Sequence, residues 1–392
     1  MKDMVCKYYK KCGGCQLDTP YEEQLEYKMR LEQKLLSKFG KINPIIGMYY
    51  PYHYRNKVQA AFAYDKRAGR IISGVYQSNS HRIVNVDSCN IEDKKADEII
   101  VSIRKLAKDF RFEPYNEDTG SGTLRHVLVK RGFKTNQIMV VIVTKGPIIP
   151  AKNNFVKALL KLHPEITTII HNINPYDTNL VLGDRENVLY GKGYIEDELM
   201  GCTFRISAKS FYQINPQQTE KLYGTAISYA ELTGKESVLD AYCGTGTIGI
   251  IAAKRGAGNV IGVELEKAAV KDAISNAKRN KIDNIYFYNA DATDFINEMA
   301  DNGEHLDVIL MDPPRAGSTE EFLDACVHLA PSRIVYVSCN PETLARDLEY
   351  ITKKNYKVEK IQPVDMFPHT AHVESVVLLN KVQNPITYLN PR

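Results

Sequence analysis

The sequence predicts an α/β protein in which a doubly wound parallel sheet forms the C-terminal half and an α+β region precedes it. After Pro216, short apolar strands alternate regularly with helices, a pattern typical of a parallel sheet covered by helices on both faces. Residues 1 to about 205 lack that alternation and mix short strands with a few helices. A glycine-rich turn joins the first strand and helix of the alternating part, which favours a Rossmann-like arrangement.

Hydrophobic periodicity and turn residues define the elements of the first half. Segment 21–39 spaces leucines and Met29 among charged residues and stops at Gly40, which predicts an amphipathic helix. Short β-branched runs separated by turn signals such as 67–69 predict strands. The expected strands are 58–64, 71–76, 127–130, 138–144 and 168–172, and the further helices are 91–110 and 153–162.

The second half predicts a longer series of alternating elements. Only a loop separates the last two expected strands, 358–363 and 373–379, so we expect an antiparallel hairpin at the sheet edge. The strands before them are expected at 237–241, 260–264, 285–289, 308–312 and 334–338, with helices at 217–230, 268–280 and 322–329.

Length and composition exclude several classes of protein. With 392 residues, 44% of them apolar and 25% charged, the chain has ordinary globular values and room for two to three domains. No stretch approaches the roughly 18 apolar residues of a membrane helix. Segment 1–11 is too polar for a secretion signal and lacks the pattern of a transit peptide. We therefore expect a cytoplasmic protein without membrane contact, and we expect a monomer.

Basic residues are concentrated near the N-terminus. The formal net charge is only +4, yet residues 1–90 carry fifteen Lys and Arg against eight Asp and Glu. Within 41–90, seven basic residues face only Asp65 and Asp87, and seven Tyr and Phe side chains lie among them. Cations attract phosphates and aromatic rings stack on unpaired bases, so this segment is a candidate nucleic-acid surface. A solvated strand surface with tyrosines in the core is the alternative.

The glycine-rich turn is a candidate cofactor loop. Residues 240–249 read DAYCGTGTIG and place G-x-G-x-x-G between a strand and a helix, a motif that nicotinamide enzymes share. Acids at four successive strand ends would repel a pyrophosphate and attract the cationic S-adenosylmethionine, so we favour the methyl donor. Each acid alone is more often a helix cap or a solvated side chain. The four acids are Asp240, Glu264, Asp291 and Asp312.

Two further residues are candidates for chemistry. Cys339 follows a central strand and precedes Asn340, where a helix is expected to start. A thiol there lies on the ligand-binding rim of the sheet, and the helix N-terminus is expected to lower its pKa. The alternative is a buried, inert thiol, the commoner role of a free cysteine. Glu374 is a charge within an apolar strand, which is costly unless the residue is paired or functional.

Five motifs in this order resemble the RNA uracil-5-methyltransferases. They are FYQIN at 211–215, DAYCG at 240–244, DPPR at 312–315, VSCNP at 337–341 and HVESV at 372–376. The resemblance implies a class I methyltransferase domain at 206–392, with Cys339 as the nucleophile and Glu374 as the base. It further implies that S-adenosylmethionine is contacted by Gln213, Tyr242, Thr247, Glu264, Asp291 and Asp312.

The first quarter of the chain carries four cysteines that could bind a metal. Four thiolates suffice for a tetrahedral zinc or a 4Fe–4S cluster, and spacing alone does not decide between them. Unrelated core cysteines are the alternative. These cysteines narrow the resemblance to the iron–sulfur branch of the family, which methylates 23S ribosomal RNA. The resemblance therefore implies a region at 1–90 that holds a 4Fe–4S cluster and contacts RNA, followed by the rest of an α+β domain at 91–205. The four cysteines are Cys6, Cys12, Cys15 and Cys89.

Three alternatives to methylation of 23S ribosomal RNA stay open. A transfer-RNA uridine-5 methyltransferase shares the motifs, although such enzymes without a TRAM domain usually lack the cluster cysteines. An amino-group methyltransferase of nucleic acid carries the motif D-P-P-Y, but here Arg315 replaces the aromatic residue. Such an enzyme also needs no cysteine at the position of Cys339. A non-catalytic iron–sulfur RNA-binding protein would not bind S-adenosylmethionine. Only five residues precede Cys6, so we expect the form without an RNA-binding TRAM domain.

Overall fold

The computed structural model describes residues 6–77, 80–178 and 180–382, so the first five residues of the predicted polar segment 1–11 lie outside it. Contacts divide the described chain into two compact units. Unit 1 contains 6–24, 48–217 and 367–371, and unit 2 contains 25–47, 218–366 and 372–382. None of the helices described is long and apolar enough to cross a membrane. The domain limits 1–90, 91–205 and 206–392 stay a prediction.

The first half of the chain contains four helices and nine strands among the described residues. Its elements are α1 (Tyr9–Cys12), α2 (Tyr21–Leu36), β1 (Lys57–Asp65), β2 (Arg70–Tyr76), β3 (Ile83–Asn85), α3 (Lys94–Asp109), β4 (Leu124–Arg131), β5 (Ile138–Thr144), α4 (Lys152–Leu162), β6 (Ile166–Ile173), β7 (Arg185–Tyr190), β8 (Ile195–Leu199) and β9 (Cys202–Ile206).

Unit 1 is built on a seven-stranded sheet in the order β3-β2-β1-β4-β5-β6-β7, in which only β5 and β6 pair in parallel. Because side chains alternate along a strand, β4 contributes to a core on each face. Val127 packs with Ile99 of α3 on one face, and Leu128 packs with Ile206 of the β8–β9 hairpin on the other. The mixed sheet confirms the α+β character expected for this region.

The second half contains the alternating series. Its elements are α5 (Pro216–Ala230), β10 (Ser237–Ala241), α6 (Thr247–Lys254), β11 (Asn259–Glu264), α7 (Lys267–Arg279), β12 (Ile285–Asn289), α8 (Ala292–Asp301), β13 (Val308–Met311), α9 (Glu320–Leu329), β14 (Arg333–Ser338), α10 (Pro341–Ile351), β15 (Tyr356–Val364) and β16 (Glu374–Lys381).

Unit 2 is a doubly wound sheet in the order β12-β11-β10-β13-β14-β16-β15. The first five strands of this order are parallel, and β16 runs antiparallel to both β14 and β15. This confirms the Rossmann-like fold and the expected antiparallel hairpin. Leu36 of α2 is fully buried in the same core as Ile309 and Tyr336 of the sheet.

The described elements differ from the predicted ones mainly in the polar or short strands. The exposed side chains of β7 and the three residues of β3 leave too little apolar pattern for a prediction. The helix predicted at 91–110 begins at Lys94, because the Asp93 side chain caps it by accepting the Ala96 amide N–H at 3.0 Å.

Candidate active site

The glycine-rich loop of unit 2 adopts the sharp turn that its sequence predicts. Gly244 and Gly246 have φ angles of 55° and 77°, the left-handed region that favours glycine. A Cβ on Gly246 would lie 2.8 Å from the Phe287 ring, so the close packing of the loop on the sheet also requires a glycine there. The loop therefore presents backbone rather than side chains at the carboxyl end of β10.

Glu264 connects the end of β11 to this loop. One carboxylate oxygen accepts the Gly244 N–H at 3.0 Å, and the other accepts the Glu266 N–H at 2.8 Å. These bonds hold the carboxylate at the loop while leaving lone pairs for a ligand hydroxyl. The position is that expected of a residue that binds the ribose of an adenosine.

Asp240 lies near the end of β10, and Asp312 directly follows the neighbouring strand β13. Asp240 is 1% exposed and accepts the Gly249 N–H at 2.7 Å. Burial raises its pKa to about 7, with further contributions from Asp312 and Glu264. Burial alone raises the pKa of Asp312 to about 7. These two carboxyl groups are thus close to half-ionised at neutral pH, and a cationic ligand would favour their ionised form.

The other predicted donor contacts occupy separate positions. Asp291 caps α8, accepting the N–H groups of Thr293 and Asp294 at 2.8 and 3.3 Å, so the commoner role of a strand-end acid is present here. Tyr242 has a φ of 61° and packs on Phe322 with ring centroids 5.1 Å apart. Thr247 is the first residue of α6, and Gln213 belongs to unit 1, where its carbonyl accepts the Asn56 side-chain amide at 3.3 Å.

Cys339 lies between the end of β14 and the start of α10. Asn340 caps that helix by accepting the Glu342 N–H at 3.1 Å, and the Ser338 hydroxyl accepts the Asn340 N–H at 3.2 Å. The Asn340 side chain also donates to the carbonyl of Arg315 at 3.3 Å, which connects the turn to the DPPR loop. The thiol is half-buried on the rim of the sheet.

The expected lowering of the Cys339 pKa is wrong. Burial raises the pKa of this thiol, and the Glu374 and Asp312 carboxyl groups raise it further. A hydrogen bond from the Cys339 backbone N–H and the charge of the Arg315 guanidinium act in the opposite direction but do not compensate. Sequence reasoning counted the helix N-terminus and missed the two acids, which become neighbours only through strand pairing.

Glu374 is the first residue of β16 and is 4% exposed. Burial raises its pKa well above the ordinary value, and Asp312 adds to the effect. The next residue, Ser375, pairs with Ser338, the residue before Cys339. Antiparallel pairing therefore brings the thiol and the carboxyl group to the same end of adjacent strands, beside Asp312. That arrangement can supply a nucleophile and a proton acceptor to one bound base.

Arg315 and His372 are two site residues that the sequence analysis did not assign to a role. Their side chains approach within 3.4 Å, between the guanidinium and Nδ1 of the imidazole. Arg315 is also the cation that lowers the pKa of Cys339. The sequence contained a signal for both residues. Arg315 belongs to the DPPR motif that contains Asp312, and His372 belongs to the HVESV motif that contains Glu374.

The four N-terminal cysteines are half-buried in unit 1. Burial raises the pKa of Cys15 to about 11, with added repulsion from Cys12 and Cys6, so these three thiols are neighbours. The Tyr8 hydroxyl accepts the Asp87 N–H at 3.2 Å, which brings the segment close to the loop of Cys89. Across residues 6–77, 80–178 and 180–382, no three His, Cys, Asp or Glu side chains are arranged to hold a metal ion.

The doubly wound sheet, its glycine-rich loop and the acids at its strand ends define an S-adenosylmethionine-dependent methyltransferase. A family model described as tRNA (Uracil-5-)-methyltransferase matches residues 20–382. The chain therefore belongs to this family of RNA methyltransferases, which confirms the resemblance drawn from the five motifs.

Individual relatives agree with this assignment. An uncharacterized RNA methyltransferase of Clostridium acetobutylicum is 45% identical over 96% of this chain and 83% of its own length. Another, from Halalkalibacterium halodurans, is 43% identical over 95% of this chain and 82% of its own length. The crystal structure of Pyrococcus abyssi tRNA (uracil-54, C5)-methyltransferase in complex with S-adenosyl-L-homocysteine has a TM-score of 0.77 and 29% identity, covering 92% of this chain and 83% of that one.

Proposed function

We propose that this protein transfers a methyl group from S-adenosylmethionine to carbon 5 of a specific uridine, with 23S ribosomal RNA as the favoured substrate. The observation that carries the proposal is the pairing of β14 with β16, which places Cys339 and Glu374 at one strand end beside Asp312. An enzyme that methylates an amino group needs no such thiol. A cytoplasmic location accords with an RNA substrate and with free thiols.

In this proposal Cys339 opens the reaction as a thiolate. Its sulfur adds to carbon 6 of uracil, and the electron pair of the 5,6 double bond moves to carbon 5 and the carbonyl oxygen on carbon 4. Carbon 5 then attacks the methyl group of the sulfonium and releases S-adenosylhomocysteine. Arg315 favours the thiolate by its charge.

Glu374 closes the reaction by accepting the proton from carbon 5. The electron pair of that C–H bond re-forms the double bond and expels the Cys339 sulfur, so the ring is restored. The raised pKa of Glu374 makes its carboxylate a stronger base than a solvated one. We assign Gln213, Tyr242, Thr247, Glu264, Asp291 and Asp312 to the methyl donor.

Substitution of the nucleophile tests the mechanism. Cys339→Ala should abolish formation of 5-methyluridine while the protein still unfolds cooperatively. Cys326→Ala is the matched control, because Cys326 is a fully buried cysteine of α9 in the same unit and has no role in the mechanism. Tritium release from 5-tritiated uridine in RNA measures the activity. Methylation by the Cys339→Ala protein at the wild-type rate would refute the covalent route.

We further propose that Cys6, Cys12, Cys15 and Cys89 hold a 4Fe–4S cluster. Their donor set suits a cluster, and three of the thiols lie within each other's electrostatic field. When bound, a cluster would cross-link the N-terminal segment. A redox role is not required, because methyl transfer consumes no electron. Iron and sulfide analysis of anaerobically purified protein should find about four of each. Zinc without iron would overturn the proposal.

The choice between ribosomal and transfer RNA depends on separate observations. The four cysteines favour 23S ribosomal RNA, whereas the structural similarity to a transfer-RNA enzyme favours transfer RNA. Mapping of 5-methyluridine in both RNAs, from cells lacking the gene and from complemented cells, separates the two. Loss of the nucleoside from transfer RNA alone would refute the ribosomal assignment.

We propose that RNA phosphates bind in a basic cleft of unit 1 with a volume of about 760 Å³. Exposed cations and the half-exposed ring of Tyr64, with Asp65 as the one acid among the described lining residues, favour a polyanion with unpaired bases. The cations that line the cleft are Lys7, Lys11, Lys66, Arg67 and Arg82, together with the titratable His81.

Charge reversal at the tip of the β1–β2 hairpin tests this cleft. Lys66→Glu with Arg67→Glu should raise the RNA KM. It should also reduce the slope of log affinity against log salt concentration by about 0.7 to 0.9 for each lost phosphate contact. Lys271→Glu with Lys278→Glu makes the same change in net charge on exposed residues of α7. Equal effects of the two pairs would show general electrostatics rather than a cleft.

A further inference from the structure

Helix α2 buries a polar face. The predicted apolar residues Leu25, Met29 and Leu35 are only half-buried, while Lys28 and Glu32 are fully buried. Lys28, Glu32 and the apolar Leu36 follow one another at intervals of four residues, so they lie along one side of the helix. Burying ionisable side chains is costly, which raises the question of what this face does.

Lys28 binds the start of the loop that connects β15 to β16. Its ammonium group lies 2.5 Å from a carboxylate oxygen of Asp365, and both side chains are 0% exposed. Asp365 directly follows Val364, the last residue of β15. The ion pair thus anchors the point at which the chain leaves the sheet.

Glu32 binds the residue at which the chain returns to the sheet. One of its carboxylate oxygens accepts the Ser375 hydroxyl at 2.9 Å. Ser375 follows Glu374 in β16 and pairs with Ser338, the residue before Cys339. Glu32 is therefore bonded to Ser375, which adjoins the candidate base Glu374 in β16. Ser375 in turn pairs with Ser338 of β14, which adjoins the candidate nucleophile Cys339.

Stability gives no reason for a carboxyl group at this position. The second oxygen of Glu32 is buried and has no hydrogen-bond partner among the described residues. Burial raises the pKa of this carboxyl group to about 7. Replacement of both members of a buried polar pair by apolar groups of similar size is often neutral or stabilising, so apolar side chains at positions 32 and 375 could fill the space at lower cost.

We infer that Glu32 is a positioning residue for the proposed reaction. Through its bond to Ser375 it fixes the paired ends of β14 and β16, and thereby the position of the Glu374 carboxyl group relative to the uracil ring bound to Cys339. The inference rests on the proposed function. Misplacement of a reacting group by about 1 Å can cost about a hundredfold in rate, so one hydrogen bond at this junction can control the proton-removal step.

Two substitutions of Glu32 separate positioning from packing. Glu32→Leu keeps the volume and removes the hydrogen bond, whereas Glu32→Gln keeps both. We expect the Leu variant to fold with some loss of stability, because the buried Ser375 hydroxyl loses its acceptor, and to show kcat lowered about tenfold or more with unchanged KM for RNA and S-adenosylmethionine. The Gln variant should retain activity. Because removal of the carbon 5 proton is slowed, the methylated protein–RNA adduct should accumulate in the Leu variant.

Two further variants complete the test. Ser375→Ala removes the other partner and should reproduce the Leu variant, which keeps the inference testable if Glu32→Leu fails to fold. Tyr356→Phe is the control, because it removes a buried 2.7 Å hydrogen bond to Pro331 from the opposite end of β15 and should leave kcat unchanged. Wild-type kcat in the folded Leu and Ala variants would overturn the inference. Absence of 5-methyluridine and adduct with the wild-type protein would instead overturn the proposed function.

Discussion

Binding of S-adenosylmethionine should strengthen as the pH rises through neutrality. Asp240 and Asp312 have pKa values raised to about 7, so both are largely protonated below that pH. The sulfonium carries a fixed positive charge and favours the ionised carboxyl groups. Rising pH removes the protons that the donor would otherwise have to displace, so affinity increases with pH and binding releases protons.

The size of the effect follows from the two pKa values. An acid with a pKa of about 7 that must ionise on binding weakens affinity by a factor of about 11 at pH 6 and about 2 at pH 7, a change of about fivefold. Two such acids give about thirtyfold. Asp312→Asn should therefore reduce the change to about fivefold or less, because loss of the Asp312 charge also lowers the pKa of Asp240.

Isothermal titration calorimetry in buffers of different ionisation enthalpy measures both affinity and proton release. S-Adenosylhomocysteine is the matched ligand, because its sulfur is neutral and its affinity should depend less on pH. Equal affinity of S-adenosylmethionine at pH 6 and pH 7, without proton release, would refute the view that Asp240 and Asp312 lose protons when the donor binds.

Two further substitutions have expected effects on stability. Lys28→Met leaves Asp365 buried without its cation and should lower the free energy of unfolding by about 3 to 5 kcal/mol in urea titrations, so a variant as stable as wild type would contradict the ion pair. Gly246→Ala should destabilise the folded protein by about 1 to 3 kcal/mol more than Gly303→Ala, because both glycines have positive φ but, of the two, only a Cβ on Gly246 would meet a neighbour. Equal losses of stability would contradict the tight packing on Phe287.

The fold of unit 2 could be predicted because its central strands β10, β13 and β14 are buried on both faces and clear helices separate its parallel strands. Acids at the strand ends could be assigned to one rim for the same reason, since parallel strands share their carboxyl edge. Cys339 and Glu374 were singled out by their places in the predicted strands and received their roles from the motifs, but their proximity depends on β16 entering the sheet between β14 and β15. That strand order is a long-range property that local patterning does not specify.

The failures have a common physical cause. The pKa of Cys339 is set by neighbours that come from other strands, and the buried face of α2 is chosen by partners more than 300 residues away in sequence. Periodicity ranked Leu25 and Met29 as the inward residues of that helix because apolar side chains are usually buried. Lys28 and Glu32 face inward instead because Asp365 and Ser375 satisfy them.

The bond between Glu32 and Ser375 joins residues 343 positions apart, and α2 supplies Leu36 to a core whose other members follow far along the chain. During synthesis, this helix leaves the ribosome long before β16 exists. The catalytic unit can therefore close only after nearly the whole chain has been made, and a fragment beginning at residue 206 would lack part of its own core. Ribosomes that release the chain early should yield a protein unable to form the paired strand ends, so catalytic competence itself reports that translation reached β16.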